Sequence, residues 1–245
     1  AYIVGSELLN NSLKNAHVAG RQTGFPVLGI LPVLFGKKKR QVQAAKRAED
    51  ILTRQLLLKM QQKVTREPFI IGVLSSLAEE GKSTAISILA NQLNAKGIKT
   101  LALFPEDHVN QIASGTHTWF YSPLYGLNNR ITLSDIIGQR YSNYTVILVE
   151  FPAVLEITYP TALLKYLDLI VLTVRANRAW QEADEAVFEE INNVTHAPIE
   201  ILLNGVLAKY NETHPGSNLK KSKKVHQKQV TPLQISQPEE ASVPV

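Results

Sequence analysis

The amino-acid sequence predicts an α/β fold in which a mostly parallel sheet is covered by helices on both faces. Continuous apolar runs of strand length, such as residues 69–74, recur along the chain. Amphipathic stretches of helical length separate these runs, and fully apolar strands are typical of a sheet that is buried on both faces. A Gly-Lys-Ser-Thr turn at residues 81–84 lies between one such run and a helical pattern, which is the order of a strand–loop–helix unit.

Residues 1–66 predict a helical segment that packs on the core. An apolar series at helical spacing predicts a helix over residues 1–22. Residues 27–31 form either a short strand or a buried segment. A long helical pattern follows over residues 41–63, and Pro68 ends it.

Residues 67–208 predict the main α/β domain. Beyond it the composition shifts to Lys, Gln, Ser and Pro with few large apolar side chains, which predicts a disordered, basic tail over residues 209–245. Inside the domain, residues 106–132 are irregular. The predicted strands are 69–74, 100–104, 144–149, 168–174 and 199–203, and the predicted helices are 83–96, 133–141 and 178–194.

The composition excludes several classes of protein. The 245 residues contain no Cys, which excludes a disulfide scaffold and a thiolate metal site. The six His residues show no metal-ligand spacing. The longest strongly apolar run, residues 27–36, is too short to cross a bilayer, and we expect no secretory signal. The formal net charge is +5.

The most informative motif is the ten-residue turn at 75–84, which reads Ser-Ser-Leu-Ala-Glu-Glu-Gly-Lys-Ser-Thr. Between a strand and a helix, the backbone amides of such a turn point at one spot and cradle phosphate groups. Lys82 would reach the outer phosphates of ATP or ADP, and the Ser83 hydroxyl would bind Mg²⁺. Ser76 stands where the full pattern has its first Gly, so a plain turn with a solvated Lys82 is the alternative and nucleotide binding stays open. The candidate nucleotide-binding residues of this motif are Gly81, Lys82, Ser83 and Thr84.

Acidic residues follow two of the predicted strands. Phosphoryl transfer needs carboxylates that hold Mg²⁺ and that take a proton from the acceptor. Glu106 and Asp107 come soon after the strand at 100–104, and Glu150 directly follows the next strand. Glu150 is therefore a candidate metal ligand together with Ser83, whereas a solvated turn is the alternative for Glu106 and Asp107.

Several segments, in an unchanged order along the chain, resemble the cytoplasmic part of polysaccharide co-polymerases, which is a bacterial tyrosine autokinase domain. The resemblance covers most of residues 1–208. The segments that carry it are residues 24–32, Glu-Gly-Lys-Ser-Thr at 80–84, and residues 144–155, 168–176 and 202–206.

The resemblance implies a doubly wound, P-loop, partition-ATPase-like sheet, in which Asn204 would lie near the adenine. It also implies a transmembrane helix before Tyr2, so that a chain beginning at Ala1 would be a fragment. The whole protein would be an inner-membrane chain-length determinant in capsule, exopolysaccharide or lipopolysaccharide export, with this domain on the cytoplasmic side. Its partners would be its own transmembrane and periplasmic region, the polysaccharide polymerase or export machinery, and further copies of the same chain.

The chain departs from the family's pattern at positions that carry catalysis. The family's Asp-x-Asp falls on Phe104 and Glu106, and Phe can serve neither as a base nor as a metal ligand. The family's next Asp falls on Glu150, and a Gly of its phosphate loop falls on Glu79. The C-terminal tyrosine cluster that accepts phosphate is reduced to Tyr210. Because positioned acid–base help alone is worth about 10²–10⁴ in rate, these losses predict a degenerate, pseudokinase-like domain.

A basic run precedes the long predicted helix. In a chain tethered upstream, this run would lie close to the anionic cytoplasmic leaflet, where each such charge is worth about 1 kcal/mol. No specific nucleic-acid recognition is expected of the chain, because no aromatic residues are interleaved with the lysines of the tail. For the basic run before the helix, a solvated loop is the alternative. The run consists of Lys37, Lys38, Lys39 and Arg40.

The leading hypothesis is thus a non-catalytic, kinase-like domain with a structural or regulatory role in polysaccharide export. A second hypothesis is an active protein-tyrosine autokinase in which Glu106 and Glu150 serve as shifted catalytic acids. A third is a soluble partition-type ATPase, in which case no membrane helix would precede this domain.

Overall fold

The computed structural model describes residues 11–33, 39–62, 68–110, 112, 117–123 and 133–210. Most of the predicted tail therefore lies outside the described residues. Lys37 and Lys38 of the basic run also lie outside them. The strands are β1 (Val27–Pro32), β2 (Phe69–Leu74), β3 (Thr100–Pro105), β4 (Thr118–Tyr121), β5 (Val146–Glu150), β6 (Leu169–Arg175) and β7 (Ile199–Val206).

Within the described residues, these strands form one seven-stranded sheet in the order β1-β7-β6-β2-β5-β3-β4, and each neighbouring pair is parallel. The chain leaves β2 toward β3 on one side and later returns to β6 on the other side. The direction of winding therefore changes next to β2. In open parallel sheets, ligands bind beyond the carboxyl ends of the strands at such a switch point.

Helices cover both faces of the sheet. One apolar cluster contains Ala19, Phe188 and the β2 side chains Ile70 and Leu74. The cluster on the opposite face contains Leu52 and Leu89, as well as the remaining buried side chains of β2. Alternate residues of a strand point to opposite faces, so the predicted doubly wound α/β architecture is confirmed. The helices are α1 (Ala16–Thr23), α2 (Lys39–Gln62), α3 (Lys82–Ala95), α4 (Leu133–Ile137) and α5 (Glu182–Val194).

The segment before residue 67 contributes a strand as well as helices. β1 pairs with β7 along the edge of the sheet. Helix α2 packs through Leu52 on the face of the sheet that carries the second apolar cluster. At the other edge, β4 lies inside the stretch predicted as irregular and pairs with β3. Its sequence, Thr-Trp-Phe-Tyr, has the β-branched and aromatic character of strands. The division of the chain at residue 66 stays a prediction.

The predicted helix over residues 1–22 is wrong over residues 11–15. Ser12 forms an antiparallel bridge with Ala179 there, and α1 begins only at Ala16. Asn15 is its N-cap and accepts a hydrogen bond from the Val18 amide at 2.9 Å. Asn side chains compete for backbone groups and so favour the start of a helix over its interior. None of the helices in the described ranges has both the length and the apolar character that a bilayer crossing requires.

Candidate functional site

The candidate site is built around the loop between β2 and α3, which we call the phosphate loop (residues 75–81). Every residue of β2 is buried, so this strand fixes where the loop begins. The loop ends at Gly81, the N-cap of α3, with a φ of 98°. This left-handed conformation favours Gly. The first amides of the 14-residue helix α3 lie at this point, and such a helix start favours an anion.

Asn204 on β7 holds the phosphate loop by a side-chain contact. Its Nδ2 donates to the Glu80 carbonyl oxygen at 3.0 Å. A Cβ atom added to Gly81 would lie 2.1 Å from that same nitrogen, so the close approach of the loop to Asn204 also requires Gly. Its expected role beside the adenine stays a prediction.

Glu79 has an unusual backbone conformation. Among the described residues it is the only one other than Gly with a positive φ, which is 58°. This left-handed conformation costs an L-residue about 1 kcal/mol or slightly more. The position is the one at which the resemblance has a Gly, so the loop keeps a backbone suited to Gly although it carries an exposed carboxylate there.

Lys82 is folded against the start of the phosphate loop. Its Nζ donates to the Ser75 Oγ at 2.7 Å, and the residue is only 7% exposed. Burial lowers the pKa of Lys82 below its ordinary value, although the charges of Glu150 and Glu80 oppose this shift. The alternative of a solvated Lys82 is therefore wrong.

Ser83 and Glu150 form the centre of the site. The Ser83 hydroxyl donates to Glu150 Oε1 at 2.9 Å, and His108 Nδ1 lies 3.5 Å from the same oxygen. Glu150 is 1% exposed, and within the described residues its Oε2 has no hydrogen-bond partner. Burial raises the pKa of Glu150, although the nearby groups His108, Ser83 and Lys82 favour the charged form. The Tyr121 hydroxyl donates to the Glu150 backbone oxygen at 2.6 Å and thereby fixes the end of β5.

The end of β3 contributes no buried acid. Phe104 is 2% exposed and packs against Phe120, with ring centroids 6.3 Å apart. Glu106 and Asp107 are both exposed in the turn that follows. The charge of Asp107 nevertheless contributes to the raised pKa of Glu150. Of the two acids in this turn, Asp107 is thus the one whose charge influences the pKa of Glu150.

A buried ion network lies beside the phosphate loop. The Glu80 carboxylate, in a residue that is 1% exposed, accepts from the Nε of Arg178, and Arg178 Nη2 lies 3.5 Å from its other oxygen. The backbone amides of Leu77 and Arg175 also donate to Glu80, each at 3.4 Å. The guanidinium group further donates to both carboxylate oxygens of Asp184, at 2.8 and 2.9 Å.

The same guanidinium group is held on its remaining sides. Arg178 Nη2 donates to Ser76 Oγ at 3.2 Å, and its carbon lies 5.6 Å from the Trp180 ring centroid. Asp184 accepts from the Gln181 amide at 2.8 Å as part of a capping box for α5. Burial alone would raise the pKa of Asp184, but hydrogen bonds from Arg178, Ser76 and the Gln181 amide lower it overall.

The structure brings most of the predicted site residues together. Ser83 forms a hydrogen bond with Glu150, and the charge of Glu150 acts on the pKa of Lys82. Thr84 lies exposed in the first turn of α3. Sequence reasoning missed the buried pair of Glu80 and Arg178. Their positions in the sequence differ by 98, and neither belongs to a spacing pattern that would have linked them.

The donor set fits a magnesium ion with a phosphate group. Mg²⁺ prefers oxygen ligands and is usually bound by one or two carboxylates together with phosphate oxygens and water. The Ser83 hydroxyl and the orphaned Glu150 Oε2 supply two such oxygens. Among the described residues there is no group of three or more His, Cys, Asp or Glu that could hold a metal ion by itself. Binding of Mg²⁺ would therefore depend on the phosphate.

Comparisons with known proteins agree with this architecture. The structure is similar to the kinase domain of the Escherichia coli tyrosine kinase ETK, with a TM-score of 0.53 and 14% identity over 79% of this chain and 95% of that chain. It is also similar to the BceF tyrosine kinase domain, with a TM-score of 0.57 and 18% identity over 80% and 99%. A third similar structure is the chimerical protein CapA2B2, with a TM-score of 0.57 and 17% identity over 78% and 98%.

These structural neighbours confirm the predicted resemblance at the level of the fold. The chain has the fold of bacterial tyrosine kinase domains, and it spans nearly the whole length of each of these three neighbours. No protein-family model matches the chain, and no curated protein matches it in sequence.

Proposed function

We propose that the chain is a tyrosine-kinase-like domain that does not transfer phosphate and that has a structural or regulatory role in polysaccharide or lipopolysaccharide export. It would belong to a polysaccharide co-polymerase and lie on the cytoplasmic side of the inner membrane. The ordered motifs along the sequence and the similarity of the fold to tyrosine kinase domains support this proposal.

The observation that carries the loss of catalysis is the burial of Phe104. At this position the resemblance has an acid that serves as base and metal ligand. Phe104 instead packs in the apolar core with Phe120. Tyr210, the remaining tyrosine of the C-terminal region, is partly buried against the core, which does not suit a phosphate acceptor that must enter an active site.

The phosphate loop would still hold a nucleotide. Lys82 and the start of α3 would bind its outer phosphates, while Ser83 and Glu150 would hold Mg²⁺. When bound, Mg²⁺ neutralises phosphate charge and orients the phosphate chain. Glu80 does not oppose this binding as a free charge, because Arg178 pairs with it. The domain would thus bind a nucleotide without turning it over.

Incubation of the full chain with ATP and Mg²⁺, followed by detection of phosphotyrosine, tests the proposal. A tyrosine kinase domain that phosphorylates itself serves as the positive control. We expect no phosphotyrosine on this chain. A signal that Lys82→Ala abolishes would overturn the proposal, because it would show transfer from the phosphate loop.

Active phosphotransfer is the second candidate, and the turn after β3 favours it, because His108 of this turn lies 3.5 Å from Glu150 Oε1 and Asp107 is its neighbour in the chain. In that case Asp107 would take the role that the sequence analysis gave to Glu106. An active domain would lose its phosphotyrosine signal in Asp107→Asn. It would keep the signal in Glu106→Gln, a matched control at the neighbouring exposed acid.

The beginning of α2 supports attachment to an anionic membrane surface. Its first turn carries Lys39 and Arg40, both exposed, and no acid. Cations are unfavourable at a helix N-terminus because of the helix dipole. Lys46 and Arg47 extend the exposed basic surface by a further two turns. A contact with anionic lipid headgroups would offset the unfavourable placement of these charges.

Cosedimentation with vesicles tests this attachment. The full chain should bind vesicles that contain phosphatidylglycerol and not vesicles of phosphatidylcholine alone. Replacement of Lys39 and Arg40 by Gln should weaken the binding. The matched control replaces the exposed Lys96 and Lys99, which removes the same charge elsewhere. Equal losses in the two variants would contradict a specific surface.

A further inference from the structure

The segment just before α1, which we call the upstream segment (residues 11–15), is attached to the loop between β6 and α5. The Leu13 amide donates to the Arg178 carbonyl oxygen at 2.9 Å. Ser12 forms an antiparallel bridge with the next residue, Ala179. The Leu13 side chain is fully buried in the same apolar cluster as Leu74, the last residue of β2.

Arg178 makes its other contacts on the phosphate loop. Its guanidinium group holds the Glu80 carboxylate and the Ser76 hydroxyl, both in the loop, and also Asp184 in the first turn of α5. The upstream segment therefore binds the backbone of the residue whose side chain holds the phosphate loop. A displacement of the upstream segment would break the hydrogen bond to the Arg178 backbone, which fixes the direction of the Arg178 side chain.

We infer that Arg178 is a positioning residue that couples docking of the upstream segment to the conformation of the phosphate loop. When residues 11–15 are docked, Arg178 pairs with Glu80 and holds the loop in its present shape. When they detach, the pair weakens, and Glu80 becomes an uncompensated carboxylate beside the anion-binding end of α3. The loop is then less ordered and binds phosphate less well. Only this last consequence, for a bound nucleotide, rests on the proposed function.

The charges near Lys82 support this coupling. Glu80 is close enough to Lys82 for its charge to act on the Lys82 pKa. A Glu80 released from Arg178 would have Lys82 as a neighbouring cation, and that contact would compete with a phosphate. Because an unpaired buried charge is strongly unfavourable, a Glu80 carboxylate that has lost Arg178 would move toward another cation or toward solvent.

Amide hydrogen exchange on the full chain without nucleotide tests the inference. The variant Leu13→Ala removes the buried anchor of the upstream segment. We expect exchange of the amides at residues 76–81 to become faster by about tenfold or more, a size typical of coupling between sites. The matched control is Leu56→Ala, which removes an equally buried Leu from the opposite apolar cluster. An equal effect of the two variants on residues 76–81 would overturn the inference.

If Leu13→Ala unfolds the chain, a second variant still tests the inference. Coupling between two sites is reciprocal, so Glu80→Gln, which weakens the pair from the side of the loop, should speed exchange at the Leu13 amide. No change at Leu13 would overturn the inference. Protection of residues 76–83 by added ATP and Mg²⁺ is a separate measurement. Its failure would count against nucleotide binding in the proposed function and would leave the coupling as measured.

Discussion

Glu80 and Glu150 are both 1% exposed, and both lie at the carboxyl edge of the sheet, yet their surroundings differ. Both oxygens of Glu80 accept hydrogen bonds from within the chain, and Arg178 neutralises its charge. Only one oxygen of Glu150 has a hydrogen-bond partner among the described residues, and His108 Nδ1 lies 3.5 Å from that same oxygen.

The difference distinguishes a carboxylate that is paired within the chain from one that we propose binds a cation. A buried charge is tolerated when it is paired and hydrogen-bonded. Glu80 meets this condition without any ligand, so it holds the phosphate loop in shape. Glu150 meets it only in part, which is why burial raises its pKa, and its second oxygen is available to a cation.

The largest expected effect follows from the removal of the partner of Glu80. Arg178→Ala should lower the free energy of unfolding by about 3–5 kcal/mol, because it leaves two buried carboxylates without their cation. Denaturant titration of the full chain measures this loss. Arg54→Ala, an exposed Arg on α2, is the control and should have an effect within about 0.5 kcal/mol. A loss below about 1 kcal/mol in Arg178→Ala would contradict the structural role of the network.

The fold could be predicted from the sequence because its signals are local. The unbroken apolar runs of β2 and β6, and the strand–loop–helix order around Lys82, each fall within a few neighbouring residues. The edge strand β4 was missed because its four residues form too short a pattern. The helix predicted over residues 1–22 was too long, because Asn15 is polar like many helix residues and only its contact with Val18 shows that it is a cap.

The site could be predicted only in part. Gly81, Lys82 and Ser83 form a motif, and Glu150 follows a strand whose end was correctly expected at the same edge. Arg178 follows a strand as well, but nothing in the sequence indicates which of many distant acids it pairs with. Its contact with Glu80 arises because β6 lies next to β2 in the sheet, and strand order is a property of the whole fold.

A smaller effect is expected at the exposed end of the phosphate loop. Glu79→Gly removes the strain of the left-handed conformation at a φ of 58°. This gain in free energy is expected to exceed the cost of the greater flexibility of Gly in the unfolded chain. The free energy of unfolding should rise by up to about 1 kcal/mol, and ATP binding should become tighter because a carboxylate is removed from the loop. Glu106→Gln, which removes an exposed acid outside the loop, is the control. A loss of stability in Glu79→Gly would contradict the assigned strain.

The smallest effect on stability at neutral pH is expected at Glu150. Because Glu150→Gln keeps the hydrogen bond from Ser83 and removes only the charge, the free energy of unfolding should change by less than about 1 kcal/mol. The variant is measured in buffer that contains EDTA, so that no metal ion contributes. A loss as large as that of Arg178→Ala would show that the two carboxylates do not differ.

The pH dependence of stability should differ in sign between the two regions. The folded-state pKa of Glu150 is raised above 4.5, so its contribution to stability is lost as the pH rises through that raised pKa. The folded-state pKa of Asp184, in the Arg178 network, is lowered below 3.8, so its contribution is present above 3.8 and lost as the pH falls through the lowered pKa. Unfolding titrations from acidic to neutral pH check both. Glu150→Gln should remove the first dependence and Asp184→Asn the second, and the opposite assignment would contradict the comparison.

Calorimetric titration of ATP into the full chain, with and without Mg²⁺, tests most directly whether Glu150 faces a ligand. We predict that Mg²⁺ strengthens ATP binding to the unmodified chain and to Glu106→Gln, that this gain is absent in Glu150→Gln, and that Lys82→Ala does not bind. Absence of heat at millimolar ATP, or an unchanged effect of Mg²⁺ in Glu150→Gln, would contradict the account.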